Sequence, residues 1–284
     1  MEASDDASRH LQEGLSGKLW CGCGWRCRRR GQGARRAVSK PEGSPFSGCT
    51  AGAGTRHPWS APVQLLPPIP EPDKILCVGI NYVAHRDETG RSESAYPTLF
   101  TRFANTQVGH GQPLIRPLVS TEFDFEAELA VVIGKRGRHI PRENALSLVA
   151  GYSCYQDATL RDWQRHTSQF TPGKNFIATG GFGPWLLTAD EVPDPSKLTV
   201  IGRLNGQEMQ RSGTDLLIFD VPELIAYITA FTELVPGDVI STGTPGGVGS
   251  KRKPPVWMKA GDIFEVEVTG VGTLRNPVQD EASQ

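Results

Sequence analysis

The chain has 284 residues and a formal net charge of -1, with 38% hydrophobic and 21% charged residues. That length holds one large domain or two small ones. The near-neutral charge gives no general reason to bind nucleic acid or a membrane surface, and no apolar run is long enough for a bilayer span or a signal peptide.

Residues 1–60 carry ten Lys/Arg against five Asp/Glu and hold Cys21, Cys23, Cys27 and Cys49 of the six cysteines. Gly, Ser, Arg and Ala dominate, and no segment keeps a helix or strand period. The expectation is a disordered or non-native appendage. Such Arg/Gly/Ala/Cys/Trp-rich text is also what an out-of-frame reading of a GC-rich gene gives. Two other readings have less support. The spacing of Cys21, Cys23 and Cys27 lacks the second pair of a zinc ribbon. Glu2, Asp5, Asp6 and Glu13 count against a mitochondrial transit peptide. Deleting residues 1–60 should leave kcat intact. The remaining thiols, Cys77 and Cys154, lie in apolar runs as buried reduced cysteines do, which suits a reducing cytoplasm.

Pro67, Pro68, Pro70 and Pro72 form a stiff lead-in to the folded part. Strands are predicted over 74–79, 98–103, 128–134, 149–156, 185–188, 198–204, 239–242, 263–268 and 272–275. A short helix is predicted over 81–88, closed by Gly90, with others starting near Arg142 and Leu160. Asn205-Gly206 signals a tight hairpin. Asp220 is an N-cap candidate with Pro222 in the first turn, opening a helix to about Leu234 with an apolar stripe of Leu224, Ile225, Ile228 and Phe231. Strands outnumber long helices, and the helices are scattered. This argues for a strand-rich α+β single domain rather than a doubly wound sheet.

Within the run Asp124–Gly134, Glu126 and Glu128 are one residue apart, so on a strand both carboxylates share a face while Phe125, Ala127 and Leu129 take the other. Paired carboxylates on an apolar strand repel and lose hydration unless a cation joins them. On spacing alone, the commoner reading is two solvated residues on an edge strand. Asp157, after a buried strand, adds a third oxygen donor. Such a set suits Mg²⁺, Mn²⁺ or Ca²⁺ rather than zinc. His85 and Glu88 fall on one helix face, where a carboxylate orients an imidazole for proton transfer; a surface ion pair is the blander alternative. Lys174 follows a turn and alone would be an ordinary surface lysine. The Gly-rich loop 242–249 offers backbone N–H groups to a carboxylate but lacks the ending of a nucleotide-binding P-loop.

Taken together, CVGINYVAH, FEAELAVVIG, GYSCYQDATLRDWQ, PGKNF, VPELIAYI, PGDVISTGTPGGVG and KAGD with GVGTLRN resemble, in order over residues 65–280, the C-terminal catalytic domain of the fumarylacetoacetate hydrolase superfamily. The resemblance implies that residues 61–284 form a mixed β-roll or β-sandwich with short helices, usually a homodimer, around Mg²⁺ or Mn²⁺. By motif it places the metal ligands on Glu126, Glu128 and Asp157. It places a lid dyad on His85 and Glu88, a substrate-facing lysine on Lys174, and substrate contacts on Arg161, Gln164 and Thr244. Two departures stand out. The segment 100–111 lacks the Lys-Pro of many relatives, and the small domain that often precedes this fold is not recognisable in residues 1–60.

The implied activity is metal-dependent hydrolysis of a C–C bond in a short 2,4-dioxo acid, an acylpyruvate or fumarylpyruvate, through a pyruvate enolate. His85 would activate water, and Lys174 and the Thr244 loop would neutralise substrate oxygens. The same enolate chemistry serves an oxaloacetate decarboxylase or a hydroxymuconate-type isomerase. A non-catalytic metal-binding protein is a further alternative; a decayed enzyme would have lost part of this set. The only expected partner besides a second copy is a small 2-oxo acid, with no nucleic acid and no membrane.

Overall fold

The computed structural model describes residues 64–283 and, ahead of them, the strands β1 (Leu19–Cys21) and β2 (Trp25–Cys27). Apart from those strand backbones, the expectations for residues 1–60, including the zinc reading of Cys21, Cys23 and Cys27, lie outside the described residues. Strands β3 (Ile75–Gly79), β4 (Thr98–Arg102), β5 (Gln107–Val108), β6 (Leu114–Arg116), β7 (Phe123–Asp124) and β8 (Ala127–Ile133) follow. Next come β9 (Val149–Gln156), β10 (Thr159–Leu160), β11 (Gly180–Thr188), β12 (Thr199–Leu204) and β13 (Gln207–Gly213). The last are β14 (Val239–Ser241), β15 (Ile263–Val268) and β16 (Gly272–Asp280). The α-helices are α1 (Val83–Thr89), α2 (Arg161–Gln164), α3 (Thr171–Lys174) and α4 (Val221–Phe231).

The larger sheet runs β2-β1-β11-β9-β8-β14-β3-β4, with β5 joined to β11; the second runs β13-β12-β15-β16-β6; β7 and β10 form a separate pair. Pairing is antiparallel except for β3–β14, β5–β11 and β6–β16. The strand-rich α+β expectation holds. Ala127, Leu129, Val131 and Ile133 on one face of β8 share a core with Val200, Phe264, Val266 and Leu274 of the second sheet. The other face, with Ala130 and Val132, packs with Ile75, Cys77, Tyr155 and Phe182. A strand covered on both faces reads as a nearly continuous apolar run, and Glu128 is the exception inside β8.

Local signals explain most elements. Asn205 and Gly206 both adopt positive φ, 52° and 80°, as a two-residue turn matched to strand twist requires. Asp220 caps α4 by accepting from the Glu223 N–H at 2.9 Å. The helix stops at Phe231 rather than Leu234, because Leu234 exchanges two backbone hydrogen bonds with Gly137, each 2.9 Å. Strand β11 begins at Gly180 rather than Trp185. Its start, Gly180-Gly181-Phe182-Gly183-Pro184, hides a strand from pattern reading. The glycines are there for close packing: a Cβ on Gly181 would meet Asn276 Oδ1 at 2.7 Å. The turn from Arg142 is a 3-10 helix to Leu148, and β16 continues past Arg275 to Asp280.

Candidate active site

The start of β8 and the end of β9 lie side by side. Ala127 is in register with Gln156 and Glu128 with Tyr155, while the Asp157 N–H donates to the Glu126 carbonyl at 3.0 Å. This backbone arrangement gathers Glu126, Glu128 and Asp157, one oxygen from each lying within 4.8 Å of the others. Their residues are only 3%, 2% and 1% exposed. The predicted alternation is observed: Phe125 turns the other way and stacks on Phe264, with ring centroids 5.0 Å apart. The edge-strand reading is overturned, since β8 sits between β9 and β14.

Buried cations surround the carboxylates. Lys174 Nζ donates to Glu126 Oε2 and Asp157 Oδ2, both at 2.5 Å. Arg161 donates through Nε to Asp124 Oδ2 at 2.7 Å and through Nη2 to Glu126 Oε1 at 2.5 Å. Its Nη1 reaches Gln164 Oε1 at 2.9 Å. Arg102 donates through Nη1 to Asp157 Oδ1 at 2.7 Å and to the Ala158 carbonyl at 3.0 Å, and through Nη2 to Thr179 Oγ1 at 2.8 Å. Burial alone would raise the Glu126 pKa, but Arg161, Lys174 and His85 outweigh it and bring it down to about 2. Burial works against the Lys174 charge; Asp157 and Glu126 overcome this and hold its pKa above the ordinary value. Lys174, expected to be a surface residue unless tied to a site, is 2% exposed. Gly173 makes this placement feasible, since a Cβ there would sit 2.5 Å from the Gln164 backbone nitrogen, where α3 presses on α2.

Glu128 accepts from Ser241 Oγ at 2.5 Å and from the Gly243 N–H at 2.8 Å, both at Oε2. Burial, with Asp157 and Glu126 beside it, pushes its pKa well above the usual carboxylate range. The Gly-rich loop does bind carboxylates through backbone N–H groups, but they are the protein's own. Gly247 N–H donates to Glu88 Oε2 at 2.9 Å, and Gly249 and Ser250 N–H donate to Asp124 at 2.7 and 3.0 Å. Thr244 borders the cavity, with its hydroxyl donating to the Ala127 carbonyl at 3.1 Å and accepting from Gln210 Nε2 at 2.7 Å.

His85, on α1 and 5% exposed, lies with Nδ1 2.7 Å from Glu88 Oε1. Because Glu88 also holds the Gly247 amide, the dyad is pinned to the glycine loop and is no surface ion pair. His85, Arg161, Gln164, Lys174, Thr244 and the three carboxylates all line one cavity of about 340 Å³. Among the described residues, the only carboxylates lining it are Glu126, Glu128 and Asp157. Its other charged lining is basic, including Arg91, Arg165 and Lys251. An all-oxygen donor set fits a hard divalent ion. The buried groups agree: four carboxyls, Asp124, Glu126, Glu128 and Asp157, meet three cations, Arg102, Arg161 and Lys174, and the crowding that raises the Glu128 pKa is what a bound cation would relieve.

A family model described as fumarylacetoacetate (FAA) hydrolase C-terminal matches residues 74–279. The chain belongs to the fumarylacetoacetate hydrolase family. It is similar to the Homo sapiens protein named oxaloacetate tautomerase FAHD2B, mitochondrial, with 43% identity over 223 residues, 78% of this chain and 71% of that one. Among solved structures it resembles a fumarylacetoacetate hydrolase from Exiguobacterium antarcticum, at TM-score 0.72 and 38% identity over 78% of this chain and 80% of that one. It also resembles a 5-carboxymethyl-2-hydroxymuconate delta-isomerase from Mycobacterium smegmatis, at TM-score 0.68 and 36% identity over 78% and 83% of the two chains. These family relatives are named as enzymes. No helix among the described residues is long and apolar enough to cross a membrane.

Sequence reasoning missed two members of the site. Asp124 lies two residues before Glu126, so the same alternation that paired the glutamates extends to it. Arg102 shares its face of β4 with Phe100, which lines the cavity. A charge in the middle of TLFTRF was the available signal.

Proposed function

We propose that this chain is a divalent-metal-dependent enzyme acting on short 2-oxo acids, with keto–enol interconversion of oxaloacetate as its main reaction. The observation that carries this reading is the charge pattern of the cavity: three carboxylates gather at one place and the rest of the charged lining is basic. The acidic group accounts for an ion and a 2-oxo carboxylate chelating it. The basic residues match a second carboxylate, which oxaloacetate has and a simple acylpyruvate lacks. Similarity to proteins named oxaloacetate tautomerase supports the choice. It favours tautomerisation over the oxaloacetate decarboxylation that the sequence offered as an alternative.

Glu126, Glu128 and Asp157 would hold Mg²⁺ or Mn²⁺, which when bound favours the enolate form of a 2-oxo acid by its positive charge. The chain's own groups do the rest. Lys174, on a flexible stem, neutralises a substrate oxygen beside the carboxylates. His85 has Nδ1 engaged with Glu88, which leaves Nε2 as the proton carrier between the substrate's C3 and its C2 oxygen. Arg161 and Gln164 fix the carboxylate end. Arg91 and Lys251 make no ion pair with a described residue, so they are available to the far carboxylate.

The His85–Glu88 dyad also favours a second reading, the acylpyruvate hydrolysis expected from the sequence. There, the same imidazole takes a proton from water as it attacks the distal carbonyl, and the pyruvate carbon leaves as an enolate. We infer a homodimer, the assembly that the family resemblance implies. The buried reduced thiols of Cys77 and Cys154 suit the cytoplasm or, as in the named relatives, the mitochondrion. The test is a substrate panel with Mg²⁺ or Mn²⁺. Enol and keto oxaloacetate, acylpyruvates, fumarylpyruvate and a hydroxymuconate-type diacid would be followed by ultraviolet absorbance, pyruvate release and CO₂. Oxaloacetate interconversion that stops with EDTA is the expected result; turnover unaffected by EDTA would overturn the metal assignment, and acylpyruvate cleavage alone would favour the second reading.

A further inference from the structure

Each carboxylate at the centre has one oxygen committed to a fixed donor. Glu126 Oε1 is held by Arg161 at 2.5 Å, Glu128 Oε2 by Ser241 and the Gly243 amide at 2.5 and 2.8 Å, and Asp157 Oδ1 by Arg102 at 2.7 Å. Of these donors, Arg102 is the most completely locked. Its side chain is 0% exposed. All three of its nitrogens are engaged, with Nε reaching Thr106 Oγ1 at 3.3 Å alongside the bonds to Asp157, Ala158 and Thr179. A planar guanidinium fixed at each nitrogen cannot turn away without leaving several buried acceptors unsatisfied. Lys174 is different. Its ammonium is a point charge on a long stem, so it can yield Glu126 Oε2 and Asp157 Oδ2 to another cation.

We propose that Arg102 is a positioning residue that sets the ion preference of this centre: by keeping Asp157 Oδ1, it confines Asp157 to one oxygen toward the ion. Calcium takes six to eight oxygens and gains from carboxylates that bind through both. Magnesium demands six at octahedral angles and uses carboxylates through single oxygens. A centre whose carboxylates each present one oxygen therefore disfavours calcium relative to magnesium and manganese. Arg161 and the Ser241–Gly243 pair restrict Glu126 and Glu128 in the same way. Removing Arg102 frees an oxygen without touching the substrate cavity, which Arg161 lines and Arg102 does not, whereas Glu128 Oε2 has two donors and keeps one when Ser241 is replaced.

The inference rests on the metal reading above, and calorimetry separates the two. The full chain would be titrated with MgCl₂, MnCl₂ and CaCl₂, as wild type, Arg102→Lys and Arg102→Gln, with thermal melts recorded for each. The expected result is that both variants shift the ratio of calcium to magnesium affinity at least tenfold toward calcium, with Arg102→Gln shifted further. An unchanged ratio in a variant that melts cooperatively would overturn the role of Arg102, since a purely structural residue moves the melt and not the ratio. Absence of binding of any of these ions to wild type would overturn the metal reading, and the inference with it. A crystal structure of the wild type loaded with Ca²⁺ gives a measurement independent of variant folding. Asp157 should contribute one oxygen with Arg102 on the other; a two-oxygen Asp157 with Arg102 turned away would overturn the proposal.

Discussion

Replacing Arg161 with Gln tests the electrostatics of the centre directly. In the intact protein, Arg161 pairs with both Asp124 and Glu126 in a dry setting and heads the groups that bring Glu126 from an ordinary 4.5 down to about 2. Each unit of such a shift corresponds to about 1.4 kcal/mol, so ionised Glu126 contributes on the order of 3 kcal/mol to the fold at neutral pH. Because the folded-state pKa is depressed, this contribution is complete above about 4.5 and is lost as pH falls toward 2. Arg161→Gln keeps a polar side chain but removes the charge, leaving two buried carboxylates short of a partner. Breaking a buried pair this way costs roughly 3–5 kcal/mol. The variant should therefore lose about that much stability at pH 7, and its stability should fall less steeply than that of wild type between pH 5 and 3. Urea unfolding followed by circular dichroism across that range measures both. A variant within about 1 kcal/mol of wild type at pH 7, with an unchanged pH profile, would show that Arg161 does not hold Glu126 ionised.

Three other outcomes follow from the geometry. Gly243→Ala places a Cβ 2.7 Å from Asn81 Cβ on a backbone with φ of +105° and should cost about 2–3 kcal/mol in urea unfolding, while weakening ion binding by moving the amide that holds Glu128. Arg91→Ala combined with Lys251→Ala should raise KM for a dicarboxylate several-fold, as loss of two exposed charge contacts of about 0.5 kcal/mol each implies, with KM for a monocarboxylate 2-oxo acid unchanged in steady-state assays. Adding EDTA to protein purified with Mn²⁺ should stop turnover and lower Tm, and both should return with excess Mn²⁺; an unchanged Tm would argue against an ion held by the folded state alone.

The parts of the site legible in the sequence are those carried by strand alternation. Glu126 and Glu128 stand out because the strand run they sit in is otherwise apolar, and their shared face follows from a period of two. Asp157 was visible as an acid at the end of a buried strand. Burial of Lys174 was not legible from pattern, because it depends on the close approach of α3 to α2 at Gly173, a contact distant from any periodic signal. Arg102 was hidden for a related reason. A single charge in a short strand reads as a solvent-facing position until its acceptors Thr106, Asp157, Ala158 and Thr179, from the segments just before β5, after β9 and before β11, are in place around it. The glycine-rich start of β11 concealed a strand, since pattern reading relies on side chains that are absent there. The loop 242–249 was read correctly as a binder of carboxylates, but only the fold shows that Glu88, Asp124 and Glu128 are the ones it holds.

The hydrogen bond from the Asp157 amide to the Glu126 carbonyl has a consequence for how the two ends of the cavity behave. It closes the end of the ladder between β8 and β9, two inner strands of the larger sheet, and the amides of such buried inner strands are those whose exchange with solvent follows opening of the core. The floor of the cavity thus shares the opening free energy of the core. The exposed side chains of Arg91 and Lys251 lie outside these central strands and can be exchanged without unravelling that sheet. Reaction chemistry and substrate choice are consequently housed in regions of different local stability, and the second can diversify while the first stays fixed.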